Sequence, residues 1–333
     1  MPAAPERPAQ RRRASGPAPR VSVVVPTRNR ARLLPRALHS VRAQTFADLE
    51  IVVVDAHSGD DTPAVLTAFG DDRLRTVALP RHGGQSAALN TGIARARADY
   101  LAFLDDDDEW LPDKLARQVA RLDAAPAAVG LVYGWHDRVD RDGGRRSGPR
   151  PTLRGDILED VLAHDTPVPP SSWLVRRAAV DDVGGFDPAL RVAKDADFAV
   201  RLAVRGWHVD LEPRVVFLKH AHDAAQLTDP TPANLAARAD YARRHLARFA
   251  GELAVRPAAH AVCHLTVALH ELPLGGLSAA LPALAVAFRL APLTALRRIR
   301  RHHPLRRRLA AACLPRARRY RPPPGQPSGP SGP

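Results

Sequence analysis

Four short apolar runs separated by helical patterns are the feature that most constrains how this chain can fold. The runs are Val21–Val25, Leu49–Val54, Leu74–Leu79 and Tyr100–Leu104. Val21–Val25 and Leu49–Val54 are predominantly apolar, which is typical of strands buried on both faces of a parallel sheet. Because the segments between them have the apolar spacing of helices, the pattern predicts an α/β fold: a doubly wound, mostly parallel sheet with right-handed crossovers.

Beyond residue 127 the pattern changes, first to short strands and then to helices. Predicted strands include Val129–Tyr133, Trp135–Val139, Val209–Leu211 and Val215–His220. From Pro232 onward only helical patterns occur. We therefore expect a globular domain over 20–228 and a helical basic extension over 229–320, with disordered tails at 1–19 and 321–333.

The net charge of +14 suggests, by itself, a protein that binds nucleic acid or an anionic membrane. The excess lies at the two ends of the chain. From Arg289 onward there are twelve Arg and no acid, and the first twenty residues hold five Arg and one Glu. Tyr320 is the only aromatic residue of the basic C-terminal segment, so specific nucleic-acid binding by base stacking is not expected. The leucines between these arginines predict instead an amphipathic helix that suits an anionic membrane surface.

Cysteine usage and the apolar stretches bear on the compartment. Cys263 and Cys313 lie far apart, which excludes a disulfide framework and a cysteine zinc site and suits a reducing compartment. The longest apolar stretch, Leu274–Phe288, has 15 residues and contains Pro282, whereas a membrane-spanning helix needs about 20 residues. We therefore expect no transmembrane helix and a cytoplasmic protein, with peripheral attachment to the inner face of the membrane as the alternative.

Polar residues follow each of the four predicted strands of the first half. Thr27 and Asn29 follow the first strand, Asp55 the second, Gln85 the third, and the acids Asp105–Glu109 the fourth. The carboxyl ends of parallel strands meet at one edge of a sheet, and open α/β sheets bind their ligands there. The sequence therefore predicts a polar, strongly acidic site at this edge.

The five consecutive acids at 105–109 are compatible with a solvated turn or with a ligand site. Like charges repel one another and cannot be buried unpaired. The run lies between apolar Tyr100–Leu104 and Trp110, which return the chain to the core on both sides, so its position favours a ligand site. Carboxylates at alternate positions suit a hard divalent cation, Mg²⁺ or Mn²⁺, which commonly bridges to substrate phosphates.

Several common motifs are missing. No G-x-G-x-x-G follows the first strand, which argues against a dinucleotide-dependent enzyme. No G-x-x-x-x-G-K-[ST] and no serine nucleophile elbow occur, which excludes a P-loop kinase and an α/β-hydrolase.

Five blocks of the sequence occur in the order and approximate spacing seen in a known family. They are Val21–Asn29 (VSVVVPTRN), Asp48–Thr62 (DLEIVVVDAHSGDDT), Gly83–Ile93 (GGQSAALNTGI), Asp99–Leu115 (DYLAFLDDDDEWLPDKL) and Gly184–Arg201 (GGFDPALRVAKDADFAVR). In these blocks, residues 20–225 resemble glycosyltransferase family 2. The resemblance implies a GT-A fold. It also implies inverting transfer of a sugar from a nucleotide-sugar donor to a hydroxyl acceptor, in the synthesis of cell-surface polysaccharide, glycolipid or glycoconjugate.

The resemblance also implies roles for residues at the donor site. The D-x-D motif of the family falls on Asp105-Asp106-Asp107. Asp107 and Asp105 are then the ligands of Mg²⁺ or Mn²⁺, which the donor diphosphate also reaches, and Asp106 contacts the donor ribose or the surroundings of the metal. The other donor-binding residues implied by the resemblance are Thr27, Asn29, Asp55 and Asn90.

Two further positions have alternatives. In the family a histidine near His222 approaches the diphosphate, which implies that His222 takes part in the metal site. Because His220 and His222 alternate along a strand end, a surface pair is the alternative. Trp173 is expected to belong to the core, and stacking on the acceptor is the alternative.

The catalytic base of the family lies in a motif that resembles Lys194-Asp195-Ala196-Asp197-Phe198. Asp195 matches the base that deprotonates the acceptor. Acids also favour the first turn of a helix, which is the alternative for Asp195 and the expected role of Asp197. Ala56 stands where the family usually has a second Asp, so UDP is only the default donor nucleotide, and Lys194 replaces an acid. These two departures leave a degenerate, non-catalytic nucleotide-sugar-binding domain as the alternative function.

Overall fold

The structure is a computed structural model that describes residues 18–163, 168–223 and 231–301. The tails predicted at 1–19 and 321–333 lie outside these ranges, apart from residues 18 and 19. The helical extension is described as far as residue 301, so Cys313 also lies outside.

A nine-stranded sheet forms the centre of the molecule. In chain order its strands are β1 (Val21–Thr27), β2 (Leu49–Asp55), β3 (Leu74–Ala78), β4 (Tyr100–Phe103), β5 (Asp108–Trp110), β6 (Val129–Val139), β7 (Arg145–Ser147), β8 (Leu174–Arg176) and β9 (His208–His220). The order across the sheet is β3-β2-β1-β4-β8-β6-β9-β5, and β7 pairs with β6. The longer ladders are parallel: β1 with β2 and β4, β2 with β3, and β6 with β9. This arrangement confirms the predicted α/β fold with a mostly parallel sheet.

Eleven α-helices occur within the described ranges. They are α1 (Leu34–Arg42), α2 (Thr62–Ala68), α3 (Gly84–Arg95), α4 (Lys114–Ala124), α5 (Leu158–Leu162), α6 (Arg177–Val183), α7 (Lys194–Val204), α8 (Pro232–Arg248), α9 (Ala250–Ala254), α10 (Pro257–Leu290) and α11 (Pro292–Arg301). A short 3-10 helix at Pro170–Ser172 precedes β8. Helices α1, α2 and α3 connect the parallel strands β1 to β4, as the alternation in the sequence predicted.

Two pairs of strands predicted as separate are single long strands, β6 and β9. Gly134 interrupts the apolar pattern of β6 because its position has no room for a side chain. A Cβ there would lie 2.5 Å from Cγ1 of Val216 on β9. The glycine therefore permits close pairing of the two strands, where the sequence pattern predicted a break.

Strands β5 and β7 and helix α6 were not predicted. β5 falls inside the acid run, which the sequence alone placed in a turn or loop. It forms because Asp108–Trp110 pairs with Phe217–Lys219 of β9, and because Trp110 is buried. Both causes lie in tertiary contacts with a distant part of the chain.

The helices that follow residue 231 share a hydrophobic core with the sheet. The largest cluster of buried side chains includes Leu101, Phe103, Trp173, Phe198, Phe249, Leu253 and Cys263. Cys263 Sγ donates a hydrogen bond to the Leu162 carbonyl, and His245 Nε2 lies 3.1 Å from the same oxygen. Helices α8 to α10 thus complete the core, and the domain boundary near residue 228 stays a prediction. Trp173 is only 2% exposed, which confirms its expected place in the core.

Within the described residues, α10 is the helix whose length and composition would allow it to cross a membrane. Its most apolar window has a mean hydropathy of 1.5, and 28% of that window is buried inside the protein. Buried core helices of globular proteins meet the same criteria. At Gly276 the backbone has φ 70° and ψ −162°, which kinks the helix. The helix is longer than the 15-residue apolar stretch identified in the sequence because it begins at Pro257.

Candidate active site

The acids that follow β4 form a compact cluster at the carboxyl end of the sheet. The Asp108 N–H donates a hydrogen bond to the Asp105 carbonyl at 3.1 Å, which closes a turn. In this turn one carboxylate oxygen from each of Asp105, Asp107 and Asp108 lies within 4.8 Å of the other two. We call these three residues the acidic cluster. Three carboxylate oxygens this close together match the ligands that a hard divalent cation prefers.

Ser171 holds two members of the acidic cluster. Its hydroxyl donates to Asp108 Oδ2 at 2.6 Å and accepts from the Asp105 N–H at 3.1 Å. Ser171 is in turn held by the chain that follows the acids, because Trp110 Nε1 donates to the Ser171 carbonyl at 2.7 Å. The acids and the segment that orients them therefore form one hydrogen-bonded unit.

Lys114 supports the same unit from inside the core. It is fully buried, and its Nζ donates to Gln118 Oε1 at 2.7 Å and to the Trp173 carbonyl at 3.1 Å. Gln118 Nε2 donates to the Ser172 carbonyl at 2.7 Å. Burial lowers the pKa of Lys114 well below its usual value, so its amine acts as a hydrogen-bond donor and not as a counter-ion for the acids.

The acidic cluster carries more negative charge than the surrounding protein neutralises. Burial raises the pKa of Asp105, with Lys194 opposing the rise, and burial raises the pKa of Asp108 well above its usual value, with Lys219 opposing. Burial by itself would lower the pKa of Lys219, but the three carboxylates outweigh it and raise that pKa. Asp108 Oδ1 is buried and has no hydrogen-bond partner among the described residues. A bound cation would satisfy this oxygen and offset the charge, so these residues fit Mg²⁺ or Mn²⁺.

Asp106 lies apart from the acidic cluster, at the end of β1. Its Oδ1 is 3.8 Å from Arg30 Nε. Burial raises the pKa of Asp106 to about 7, although the neighbouring Thr27 and the charge of Arg30 oppose the rise. The structure thus groups Asp108, and not Asp106, with Asp105 and Asp107. Contact of Asp106 and Thr27 with the donor stays a prediction.

The loops after β1 and β2 are tied together by two of the predicted donor-binding residues. Asp55 Oδ1 accepts from the Ser58 N–H at 3.0 Å, and Asn29 Oδ1 accepts from the Gly59 N–H at 2.8 Å. The Asn29 N–H donates to Ser58 Oγ at 2.9 Å. Asn29 has φ 53°, a left-handed conformation that Asn tolerates better than most residues. These contacts hold Asp55 and Asn29 at the edge of the sheet where the acidic cluster lies.

Asn90 is engaged by the backbone of another loop. Its Nδ2 donates to the Phe186 carbonyl at 2.7 Å, and its Oδ1 accepts from the Phe186 N–H at 2.8 Å. Gly185 has φ 71°, and a Cβ there would lie 2.6 Å from Asn90 Oδ1, so this loop requires glycine. The Asn90 amide therefore positions the segment that leads into α7, and its contact with the donor stays a prediction.

Helix α7 brings the predicted catalytic acid to the acidic cluster. Asp195 lies in the first turn of α7 and is half-buried. The charges of Lys194 and Asp195 both act on the carboxyl of Asp105. Residues from α7 and from the turn after β4 therefore meet at one site.

Asp197, two residues further on, has a different environment. It is 2% exposed and accepts hydrogen bonds from Arg201 Nε at 2.7 Å and from Arg248 Nη1 at 3.2 Å. These bonds join α7 to α8, which agrees with the structural role expected for Asp197.

His222 contacts the acidic cluster directly. Its Nε2 lies 2.8 Å from Asp107 Oδ2, and His220 Nε2 lies 2.7 Å from Glu109 Oε2. The two side chains are 9% and 16% exposed, so they are not the solvated surface pair considered as the alternative. His222 orients Asp107, and its role as a metal ligand stays a prediction.

Sequence reasoning missed Ser171 and Lys219, and it placed Asp108 and Gln85 at this edge without assigning either of them a role. Gln85 Nε2 donates to Asp105 Oδ1 at 2.9 Å. Both positions could be found from the sequence, because Asp108 belongs to the acid run and Gln85 to the polar loop after β3. No sequence pattern marks Ser171 or Lys219, because their proximity to the acids depends on tertiary packing.

Comparison with known proteins agrees with this geometry. A family profile described as Glycosyl transferase family 2 matches residues 22–184. The succinoglycan biosynthesis protein ExoO of Rhizobium meliloti (strain 1021) is 32% identical over 221 residues, which are 62% of this chain and 62% of that protein. The match thus spans less than two thirds of the length of this relative.

Solved structures with the same fold include two proteins bound to nucleotide-sugars. S. aureus TarS 1-349 in complex with UDP-GlcNAc has a TM-score of 0.58 at 17% identity, over 83% of this chain and 82% of that one. The mannosyltransferase PcManGT from Pyrobaculum calidifontis, in complex with GDP-Man and Mn²⁺, has a TM-score of 0.52 at 24% identity, over 89% and 86%. These likenesses confirm the predicted GT-A fold. The family match identifies residues 22–184 as a domain of glycosyl transferase family 2.

Proposed function

We propose that this chain is a metal-dependent glycosyltransferase that moves a sugar from a nucleotide-sugar to a hydroxyl acceptor with inversion. One observation carries the proposal. Three carboxylates, Asp105, Asp107 and Asp108, lie within 4.8 Å of one another at the ligand-binding edge of the sheet. Asp195 lies near enough to this cluster for its charge to act on Asp105.

The acidic cluster is the proposed cation site. Asp105, Asp107 and Asp108 would hold Mg²⁺ or Mn²⁺, which when bound offsets the charge of a departing diphosphate. His222 orients Asp107, and Lys219 supplies part of the positive charge from β9. Ser171 fixes the geometry of Asp105 and Asp108.

Asp195 is the proposed general base. A hydroxyl is a poor nucleophile at neutral pH, so a carboxylate within hydrogen-bond reach of it is needed. The acceptor oxygen forms a bond to the anomeric carbon on the face opposite the diphosphate. The bond from that carbon to the diphosphate oxygen breaks with its electron pair leaving on the diphosphate, and the acceptor proton passes to Asp195.

The proposed donor-binding residues are Thr27, Asn29, Asp55, Asn90 and Asp106. The two structural neighbours named above hold different nucleotides, a uridine sugar in one and a guanosine sugar in the other. Ala56 is buried and packs with Val52 and Val54, so it offers no polar group to the base. UDP is therefore the default, and the screen described next includes both bases.

The test is a screen of common uridine and guanosine nucleotide-sugars, read as released nucleoside diphosphate. We expect release that requires Mg²⁺ or Mn²⁺, is abolished by a chelator and is lost in Asp107→Asn. Asp72→Asn is the matched control, because Asp72 is exposed and precedes β3, at the opposite edge of the sheet. Metal-dependent nucleotide binding without turnover on any donor and acceptor would establish the alternative, a non-catalytic binding domain.

We also propose that the C-terminal helices attach the protein to an anionic membrane surface from the cytoplasmic side, and that the product is a polysaccharide or glycoconjugate of the cell envelope. ExoO is described as a succinoglycan biosynthesis protein, which supports the second part. On α10 and α11, five large apolar side chains are at least 36% exposed. They are Leu274, Leu281, Phe288, Leu293 and Leu296.

The arginines of α11 lie among these exposed side chains, as an interfacial helix requires. Flotation with anionic liposomes, compared with neutral ones, tests the attachment. Equal recovery with both kinds of liposome would contradict it.

A further inference from the structure

A narrow, partly open cavity of about 30 Å³ lies beside Asp195. Its floor is formed by buried side chains, among them Tyr133, Trp173 and Leu202, and its mouth by partly exposed ones, among them Leu153 and Ala199. Asp195 is the one charged residue in the lining. The cavity is therefore an apolar slot with a carboxylate at its edge.

Helix α7 connects the slot to the proposed chemistry. Asp195, Ala199 and Leu202 occupy positions i, i+4 and i+7 of α7, so they lie on one face of the helix. The residue proposed to take the acceptor proton and two residues that line the slot thus belong to a single rigid element. A molecule whose hydroxyl reaches Asp195 therefore also lies next to the slot.

The polar atoms of the two aromatic walls are already used inside the protein. The Tyr133 hydroxyl donates to the Leu153 carbonyl at 2.9 Å, and Trp173 Nε1 donates to the Val168 carbonyl at 3.1 Å. Both residues therefore present ring surface to the slot and no free donor. A sugar ring placed there would lose the water bound to its hydroxyls and would find only Asp195 as a partner, which is costly. An apolar group would lose nothing of this kind and would gain from burial.

We propose that this slot is the acceptor subsite, and that the acceptor is an alcohol whose reacting hydroxyl is attached to an apolar group. The inference deepens the proposed function and depends on it, since it takes Asp195 as the base. The hydroxyl lies at Asp195 and the apolar group enters between Tyr133, Trp173 and Ala199. Transfer then forms the bond between the acceptor oxygen and the anomeric carbon, releases the nucleoside diphosphate and leaves the proton on Asp195.

Binding of linear alcohols from ethanol to octanol tests the slot without requiring turnover. The quench of tryptophan fluorescence in the full chain reports the Kd, since Trp173 lines the slot. We expect the Kd to fall about fourfold for each CH₂ that enters, up to a chain length at which the slot is full. Ala199→Leu should shorten this limit by two or three carbons. Val204→Leu is the matched control, because Val204 ends the same helix away from the slot lining, and it should leave the limit unchanged.

A chain-length limit that is the same in Ala199→Leu and in the unmodified protein would overturn the proposal, and so would an absence of binding. The second arm measures transfer to the same alcohols and to free glucose. Nucleoside diphosphate released without acceptor should be equal in Val204→Leu and in the unmodified protein, while transfer to alcohols by Ala199→Leu should follow its shorter binding limit.

Two outcomes of the second arm separate the proposals. If the donor turns over but glucose is a better acceptor than every alcohol, the apolar-acceptor inference is wrong and the proposed function stands. If no donor turns over, the proposed function fails, and the assignment of the slot to an acceptor fails with it.

Discussion

The acidic cluster and the apolar slot both neighbour Asp195 and are built by opposite means. In the acidic cluster, carboxylates are crowded beyond what Lys219 neutralises, and one buried oxygen of Asp108 has no partner among the described residues. In the slot, the polar atoms of Tyr133 and Trp173 are fully used by backbone carbonyls. The first site is incomplete without a cation, whereas the second needs no polar partner at all.

The difference between the two sites shows how residues of α7 can serve both the binding of a cation and the binding of an apolar group. Charge that is left unpaired selects a charged ligand, because only an ion of opposite sign repays the desolvation of buried carboxylates. Polar atoms that are all paired select an apolar ligand by excluding groups that need new hydrogen bonds. Asp195 neighbours both environments. Its proposed role therefore depends on its position in the first turn of α7.

The largest expected effect comes from removing the carboxylate between the two sites. Asp195→Asn should lower the rate of sugar transfer by about 10²- to 10⁴-fold, because general-base catalysis is worth that much. Binding of nucleotide in the presence of metal should stay the same, since Asp195 is not a member of the acidic cluster.

Asp197→Asn is the control for Asp195→Asn. Asp197 is buried and pairs with Arg201 and Arg248, so its replacement should lower the free energy of unfolding by about 1–3 kcal/mol and affect the rate of transfer far less. Kinetics and chemical denaturation of both variants check the contrast. Similar losses of activity in both would contradict separate roles for the two acids.

Lys219→Met should increase the uncompensated negative charge of the acidic cluster. Without the ammonium group, the metal-free protein should lose about 2–3 kcal/mol of stability, since buried charge is left uncompensated. Added Mg²⁺ should recover most of this loss. The measurement is the melting temperature with and without metal. If metal raised the melting temperature equally in the variant and in the unmodified protein, Lys219 would not share the site with a cation.

Ser171→Ala should cost about 1–2 kcal/mol of unfolding free energy and weaken metal binding, because both Asp105 and Asp108 lose a hydrogen bond. Ser172→Ala is a close control. Its hydroxyl donates only to the Pro169 carbonyl, so metal binding should not change. The measurement is calorimetric titration of Mn²⁺ into the unmodified protein, Ser171→Ala and Ser172→Ala. Equal Mn²⁺ affinities in all three would show that Ser171 does not position the acids.

The last expected effect concerns acid pH and the buried His245. Burial lowers the pKa of His245 to about 4, so the unfolded chain, with a pKa near about 6.5, binds the proton more tightly. Stability should therefore fall as the pH drops from about 6.5 towards about 4 and should be unaffected above that window, with a loss of about 2 kcal/mol at pH 5.

The variant His245→Gln tests the source of this pH dependence. It should flatten the dependence in part, since burial also lowers the pKa of His136 to about 4. Denaturation curves at pH 7 and pH 5 measure the pH dependence of stability in the variant and in the unmodified protein. An unchanged pH dependence in the variant would rule out His245.

The sequence predicted the parallel half of the sheet well because each strand there is a local pattern. The segments that became β1, β2 and β4 are mostly apolar, whereas β3 at the end of the sheet contains Arg75 and Thr76. Polar side chains follow all four segments. Strand β5 was missed for the opposite reason. The sequence Asp108-Glu109-Trp110 has no pattern that predicts a strand. These residues form a strand because β9 pairs with them.

The sequence by itself determined that an acid-rich segment follows a buried strand at the ligand-binding edge, and that Asp195 begins a helix. It did not determine which acids act together. The tertiary structure decided that, because pairing of Asp108 with Lys219 across β5 and β9 turns Asp108 inward while Asp106 turns towards Thr27 and Arg30. The slot was likewise decided by packing alone, since its walls come from segments distant in sequence. Local composition determines which side chains are available, and contacts between distant segments determine which of them face a common ligand.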